Sequence, residues 1–264
     1  MDKKEFVYVA NWSGGKDSTA QLIEIKRRGM PLDYVIHADI MFDEKTSGEH
    51  PLMAEWLPKA EKILKDNFNI EIIHLPVETN YYNQFYRKKQ RGKHIGDNYG
   101  FAHRKSNWCN SLLKMKPINK FIKTLVGGYS VVEYVGIASD EPSRLERYAQ
   151  SATEDHCYIT LNDMGISENE AMDVCRQHNL LSPKYEKSFR SGCWFCHNQT
   201  NADLYDLWKN YPTYFARLEE MEKDSHNVLK GNKSLYQIRR LFEMGKIPKN
   251  RKAKNKFKQL SMFD

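Results

Sequence analysis

Ser13-Gly14-Gly15-Lys16-Asp17-Ser18-Thr19 decides the fold. An apolar, β-rich run, Phe6-Val7-Tyr8-Val9-Ala10, leads into it, and a helical pattern, Ala20-Gln21-Leu22-Ile23-Glu24-Ile25-Lys26, leads out. Strand, glycine-rich turn and helix form the setting in which a backbone loop binds phosphate. Adjacent glycines let the chain pass close to an anion, and the first N–H groups of the helix point at it with the positive dipole end behind them. Ser13, Ser18 and Thr19 add hydroxyl donors, and Lys16 adds a mobile positive charge.

The spacing is not that of the Walker loop, because Lys16 directly follows Gly15. It resembles instead the PP-loop, Ser-Gly-Gly-x-Asp-Ser, of the adenine-nucleotide α-hydrolase-like enzymes. In that superfamily the loop grips the pyrophosphate end of ATP while the α-phosphate is attacked, releasing AMP and pyrophosphate. The resemblance assigns nucleotide binding to Ser13, Gly14, Gly15, Lys16, Asp17, Ser18 and Thr19, and a catalytic part to Lys16 and Asp17.

The rest of the chain fits that frame. Tyr34-Val35-Ile36-His37-Ala38-Asp39 reads as a second strand, with Asp39 at its carboxyl end as a further nucleotide-site candidate. Residues 55–68 carry helical spacing, and Ile70-Glu71-Ile72-Ile73-His74-Leu75 reads as a third strand. The alternation predicts an α/β fold: a doubly wound, mostly parallel sheet, followed by a small cysteine-containing and helical C-terminal region. We expect an adenine-nucleotide-binding domain over 1–150, a substrate or metal region over 151–200, a helical region over 201–248 and a basic tail over 249–264.

Two further segments narrow the resemblance. Trp108-Cys109-Asn110-Ser111-Leu112-Leu113-Lys114-Met115-Lys116-Pro117 is similar to the Cys-x-x-x-Leu-Lys-x-x-Pro segment of the phosphoadenosine phosphosulfate reductase family. Gly136-Ile137-Ala138-Ser139-Asp140-Glu141-Pro142-Ser143-Arg144 is similar to its Gly-Ile-x-x-Asp-Glu-x-x-Arg segment. A glycine at a strand end permits close approach of a ligand, so Gly136, Asp140 and Glu141 are nucleotide-site candidates. Asp140 and Glu141 suit Mg²⁺, and Arg144, a third catalytic candidate, suits a phosphate or sulfate. A local Glu141–Arg144 ion pair is the plainer reading of the same residues. The run from Tyr185 through Arg190 to Cys193-Trp194-Phe195-Cys196 resembles the family's later tyrosine, arginine and Cys-x-x-Cys segment. The chain is most similar to the mobile-element branch of that family.

Five cysteines without a disulfide setting point to metal or redox chemistry. Cys193 and Cys196 form one Cys-x-x-Cys knuckle, and Cys109 lies 193 − 109 = 84 residues upstream. The layout resembles the cluster-binding cysteines of the adenylylsulfate reductases, except that Trp108 replaces the first cysteine of their upstream pair. Cys175, on the helix expected over 167–178, is the candidate fourth ligand, with His178 and His197 as alternatives and Cys157 read as a buried apolar residue. Such a set suits zinc or a 4Fe–4S cluster, and a redox dithiol at Cys193–Cys196 stays open beside them.

Between residues 81 and 105, Tyr81, Tyr82, Phe85, Tyr86, Tyr99 and Phe101 alternate with arginines, lysines and histidines. Aromatic faces among cations can stack on bases, so DNA or RNA is a candidate partner there, and an ordered loop over the active site is the competing reading. Residues 249–258 carry six cations, a second candidate nucleic-acid contact, and Gln259-Leu260-Ser261-Met262-Phe263-Asp264 resembles the peptide that docks bacterial DNA enzymes on the sliding clamp. The net charge of +7 agrees with polyanionic ligands, whether nucleotide or nucleic acid. No stretch approaches a membrane span, and Met1–Glu5 runs straight into the first strand, so a cytoplasmic location without membrane contact is expected.

Together these features predict ATP cleavage between the α- and β-phosphates to adenylate an acceptor, for sulfur transfer or nucleic-acid modification. The alternatives are a thiol-dependent reductase of a sulfonucleotide and a non-catalytic, DNA-tethered nucleotide binder. No cysteine follows Cys196, so the mobile nucleophile on the tail of true reductases is absent.

Overall fold

Five parallel strands lie in the order β3-β2-β1-β4-β5 in the computed structural model, which describes residues 6–126, 129–151, 157–188 and 190–248. They are β1 (Phe6–Asn11), β2 (Tyr34–Ala38), β3 (Ile72–Leu75), β4 (Ser130–Tyr134) and β5 (Cys157–Tyr158). The registers Val9↔Tyr34 and Phe6↔Ser130 place β1 centrally between β2 and β4. The basic tail and the clamp-like peptide lie outside the described residues.

Period-two alternation along β1 explains the two layers. Val7 and Val9 meet Ile36, Leu75 and Val131 on one face, under Ile118 and Phe121 of helix α4 (Lys116–Val126). Ala10 and Tyr8 face the other way, towards Leu22, Ile23 and Ile25 of α1 (Lys16–Arg27) and Met53, Leu57 and Leu64 of α2 (Pro51–Phe68). The expected doubly wound α/β architecture is therefore the observed one. α2 starts earlier than its apolar spacing suggests, because His50 caps it and Pro51 occupies its first turn.

The sheet runs past residue 150: Glu133 pairs with Cys157 on β5. Beyond it follow α7 (Glu168–Gln177), which starts with a Ser167–Glu170 capping box, and the helices α9 (Asn201–Asn210), α10 (Pro212–Lys223) and α11 (Leu235–Glu243). Between β3 and α4 stand α3 (Tyr81–Tyr86) and a π-helical turn over Asn110–Met115; α5 (Pro142–Ser151), α6 (Thr160–Asp163) and α8 (Lys184–Lys187) complete the helices.

The C-terminal helices share one aromatic core with the middle of the chain. Leu204, Phe215, Leu218 and Phe242 pack with Phe42, Tyr81, Phe85, Phe101, Trp194 and Phe195. This corrects one reading of the basic aromatic segment. Tyr81, Phe85 and Phe101 are at most 1% exposed and are core residues, so no base can stack on them from outside. Among the described residues, no helix is long and apolar enough to cross a membrane.

A buried polar cluster joins this core to the sheet. His50 is 4% exposed, its Nδ1 accepts the Leu52 N–H, and burial holds its pKa down at about 4. Its folded value lies below its ordinary one near 6.5, so the unfolded chain takes up the extra proton between those values. Stability is thus complete above about pH 6.5 and falls by up to about 3 kcal/mol as pH drops to about 4. Urea titrations of wild type and His50→Asn across that window should show this slope flattened in the variant.

Candidate phosphate loop and cysteine cavity

In a doubly wound sheet, ligands bind beyond the carboxyl ends of the strands where the order reverses. Here that point lies between β1 and β4, and residues 12–19 and 136–144 leave those two strands. Gly14 has φ +69°, and a Cβ there would lie 2.2 Å from Leu57 Cδ2. Gly136 fits equally close to the Gln21 side chain and the Asp17 carbonyl, at 2.8 and 3.2 Å. Gly14 lets the loop pass close over the α2 side chains, and Gly136 lets the end of β4 approach the Asp17 backbone.

Hydroxyl groups hold the loop in shape. Ser18 Oγ accepts the Ser13 N–H at 3.1 Å and donates to the Gly15 carbonyl at 3.1 Å. Thr19 Oγ1 accepts the buried Trp12 indole N–H at 2.9 Å. These contacts give Thr19 and Ser18 a bracing part as well as any part in ligand binding.

Lys16 is 5% exposed, with Nζ 2.6 Å from Asp17 Oδ1 and 2.9 Å from Glu168 Oε1. Burial would lower its pKa, but the two carboxylates outweigh that and raise it. The Asp17 carboxyl is also raised, by burial first and then by the nearby charges of Glu141 and Glu168, against the lowering effect of Lys16. Two carboxylates, Asp17 and Glu168, thus share the Lys16 ammonium, with Glu141 a third nearby. Asp140 sits beside this group, its Oδ1 accepting the Glu168 N–H at 2.9 Å, and Arg144 pairs with Glu141 at 2.7 Å. The local ion pair read from the sequence is thus present. Asp39 accepts from His74 Nδ1 at 2.9 Å and lies 3.5 Å from His37 Nε2.

Two contacts of this loop were not legible in sequence. Glu168 is brought to Lys16 by the first turn of α7, 152 positions away. Tyr185 accepts the Lys16 N–H at 3.0 Å and donates to Ser191 Oγ at 3.1 Å. Ser191 in turn stands where a Cβ on Gly15 would meet its Oγ at 2.9 Å. The cysteine-bearing run therefore closes directly on the phosphate loop.

On the far side of Ser191 and Gly192 lies a cavity of about 190 Å³. Cys109, Cys193 and Cys196 line it, with Tyr81, Phe195 and Lys114. The π-helical turn sets Cys109, Asn110, Leu113 and Lys114 along one wall, the displacement such turns produce near functional sites. The knuckle is knitted to the loop after β2: Glu49 pairs with Cys193, and Trp194 donates its N–H and indole N–H to the Gly48 and Ser47 carbonyls. Trp108, standing where the resemblance has a cysteine, stacks on Tyr81 at 4.8 Å.

Cys175 is not brought to the other three. It is buried behind the phosphate loop among Ala20, Leu161 and Ala171, its Sγ–H donating to the Lys16 carbonyl at 3.2 Å. Cys157 is exposed beside the Tyr148 hydroxyl rather than buried. Burial pushes the Cys109 thiol up to about 11 and Cys193 well above the usual range, so both carry protons at neutral pH. Among the described residues, no three cysteine, histidine or acidic side chains stand at metal-ligand spacing. Cys109, Cys193 and Cys196 thus share one cavity without meeting at ligand distance, and the expected four-cysteine set is not assembled.

The fold and site define a class: a doubly wound parallel α/β protein with a Ser-Gly-Gly-Lys-Asp-Ser loop at the switch point and a three-cysteine cavity beside it. No family model matches the chain. An uncharacterized protein of Methanocaldococcus jannaschii is 26% identical over 240 residues, covering 86% of this chain and 44% of its own. The chain thus spans less than half the length of that relative. Among solved structures, it is similar to the U34-tRNA thiolase NcsA from Methanococcus maripaludis with its 4Fe–4S cluster. That likeness has a TM-score of 0.41 and 16% identity over 83% of this chain and 72% of the other.

Proposed function

We propose that this protein cleaves ATP between the α- and β-phosphates to adenylate an acceptor, in sulfur transfer or nucleic-acid modification. The observation that carries the reading is the contact of the phosphate loop with the cysteine run, through Lys16, Tyr185 and Ser191. A nucleotide on the loop would hold its α-phosphate beside the wall of the three-cysteine cavity.

In the reaction, a nucleophilic oxygen of the acceptor attacks the α-phosphorus. The bond from that phosphorus to the bridging oxygen breaks, pyrophosphate leaves with the electron pair, and the acceptor proton passes to a carboxylate or solvent. Gly15 and the first turn of α1 present the positive end of the helix, and Lys16 opposes the charge growing on the leaving group. Glu168 must release Lys16 for this, and its position on the exposed first turn of α7 permits it. Mg²⁺ would neutralise phosphate oxygens, with Asp17, Asp140 and Glu141 as the carboxylates to hold it. Were a metal or cluster held in the cavity, Cys109, Cys193 and Cys196 would be the residues to hold it, and it would supply a soft Lewis acid. Positioning provides most of the acceleration in such a scheme.

The test is pyrophosphate release from ATP and Mg²⁺ by anaerobically purified protein, with and without nucleic acid. Asp17→Asn should lower release about 100-fold or more, the scale of one lost electrostatic contact in a transition state. Sulfite released from a sulfonucleotide, with no pyrophosphate from ATP under any condition, would establish the reductase instead.

A further inference from the structure

The segment after α3 is an ordered hairpin, and its cations are left unneutralised. Tyr99 donates its N–H to the Arg87 carbonyl, Lys89 to Asp97, and Lys88 pairs with Asn98. The hairpin is pinned at its base. The Asn227 side chain accepts the Phe101 N–H at 3.0 Å and donates to the Phe101 carbonyl at 2.8 Å. Gly100, at φ +71°, leaves room for that side chain, since a Cβ there would lie 2.5 Å from Asn227 Oδ1. The Asn98 side chain donates to the Asp224 carbonyl at 3.0 Å, and Tyr86 donates to the Asp224 carboxylate at 2.9 Å.

Arg87, Lys88, Arg91, Lys93, Arg104 and Lys105 are exposed on and beside this hairpin. Some exposed cations elsewhere have carboxylate partners: Lys62 with Asp66, Lys65 with Glu71, Lys116 and Lys120 with Glu78, Arg176 with Asp173. Others, such as Lys45, Lys59 and Lys123, stand singly; the hairpin differs in crowding six together. Among the described residues, none of the six is within 4.0 Å of a carboxylate. Asp97 is the only acidic residue from 87 to 107, and it faces His94 at 3.2 Å. A rigid surface that keeps six like charges unpaired bears self-repulsion that a bound polyanion relieves.

The ridge also adjoins the cysteine cavity. Ala102 and Asn107 line that cavity and flank Arg104 and Lys105 in the chain. A strand whose phosphates lie on the cations would pass across the mouth of that cavity. A base reaches such a cavity only out of a stack, which a single strand provides at least cost. We propose that the hairpin over residues 87–105 is the docking surface for single-stranded nucleic acid and presents one base to the three-cysteine cavity. The base as acceptor rests on the adenylation reading above; the docking surface does not.

The experiment measures anisotropy of fluorescein-labelled 20-nucleotide single-stranded RNA, single-stranded DNA and duplex DNA with the full chain, without ATP. About four phosphate contacts on a single strand predict a roughly 50-fold loss of affinity between 50 and 200 mM salt. Arg91→Glu with Lys93→Glu should weaken binding at least about tenfold and reduce the salt slope by about 1.4. The same two reversals at the paired Lys62 and Lys65 should change it less than about twofold. RNA and DNA strands bound alike would show backbone recognition; a preference for RNA would place a contact on the 2′-hydroxyl. Both outcomes support the surface. Binding unchanged by the hairpin variant, tighter binding of the duplex, or capture of phosphatidylserine vesicles in place of oligonucleotides would overturn it. Asp17→Asn should lose pyrophosphate release while keeping oligonucleotide affinity, so the two readings fail separately.

Discussion

Gly14→Ala is expected to lower stability by about 2–5 kcal/mol and to remove nucleotide binding with it. The residue holds φ +69°, where an L side chain costs about 1–2 kcal/mol. Its new methyl would sit 2.2 Å from Leu57 Cδ2 on α2, and relieving such overpacking costs about 1–3 kcal/mol more. For a chain of this size the melting temperature should fall by roughly 5–15 °C. Gly15→Ala is the control. Gly15 has φ −76°, open to any residue, and its added Cβ meets side-chain hydroxyls, Ser191 at 2.9 Å, Tyr185 at 3.3 Å and Ser13 at 3.4 Å. It should cost less than about 1 kcal/mol in stability yet disturb the Tyr185–Ser191 link to the cysteine run. Thermal melts and ATP titrations of the two variants separate these effects, and equal melting temperatures would refute the steric account.

The second large effect is expected at the buried ion pair between α8 and α9. Lys184 and Asp203 are 3% and 7% exposed, with Nζ 3.3 Å from Oδ1. Burial alone would raise the Asp203 carboxyl, but hydrogen bonds from Ser188 and Thr200 and the Lys184 ammonium bring it below the usual range. Asp203→Ala strands a buried ammonium and removes the α9 capping box, so a loss of about 3–5 kcal/mol is expected. Lys184→Met combined with Asp203→Leu should regain most of that loss, because an apolar pair leaves no uncompensated charge. About 1 kcal/mol should stay lost with the cap. Denaturant unfolding of both single variants and the double variant measures the coupling, and simple additivity would show that the pair does not matter.

Local chemistry made much of this molecule legible before any tertiary contact is considered. The alternation of apolar runs at periods of two and near four set the βαβ order, and hence the parallel sheet and its ligand edge. Gly14 and Gly15 marked a turn that only small residues can make, and Ser167 with Glu170 marked the start of α7. Each of these signals depends on residues within a few positions of one another. What only the tertiary structure decided involves partners separated by more than eighty positions. The loop lysine meets Glu168, the loop backbone meets Tyr185, and Cys109 shares a cavity with Cys193 and Cys196. Cys175 lies on the helix that directly precedes the knuckle in sequence, yet α7 packs it against α1 behind the loop, because its position on that helix faces Ala20 and not the knuckle. The basic aromatic segment divides in the same way. Its composition suggested rings and cations together on one surface, whereas folding draws Tyr81, Phe85 and Phe101 into the core, where apolar area is removed from water, and leaves the charges outside, where hydration favours them. Sequence specifies the strands and turns through nearest neighbours; which side chains share a site depends on helix faces and crossovers that no local pattern encodes.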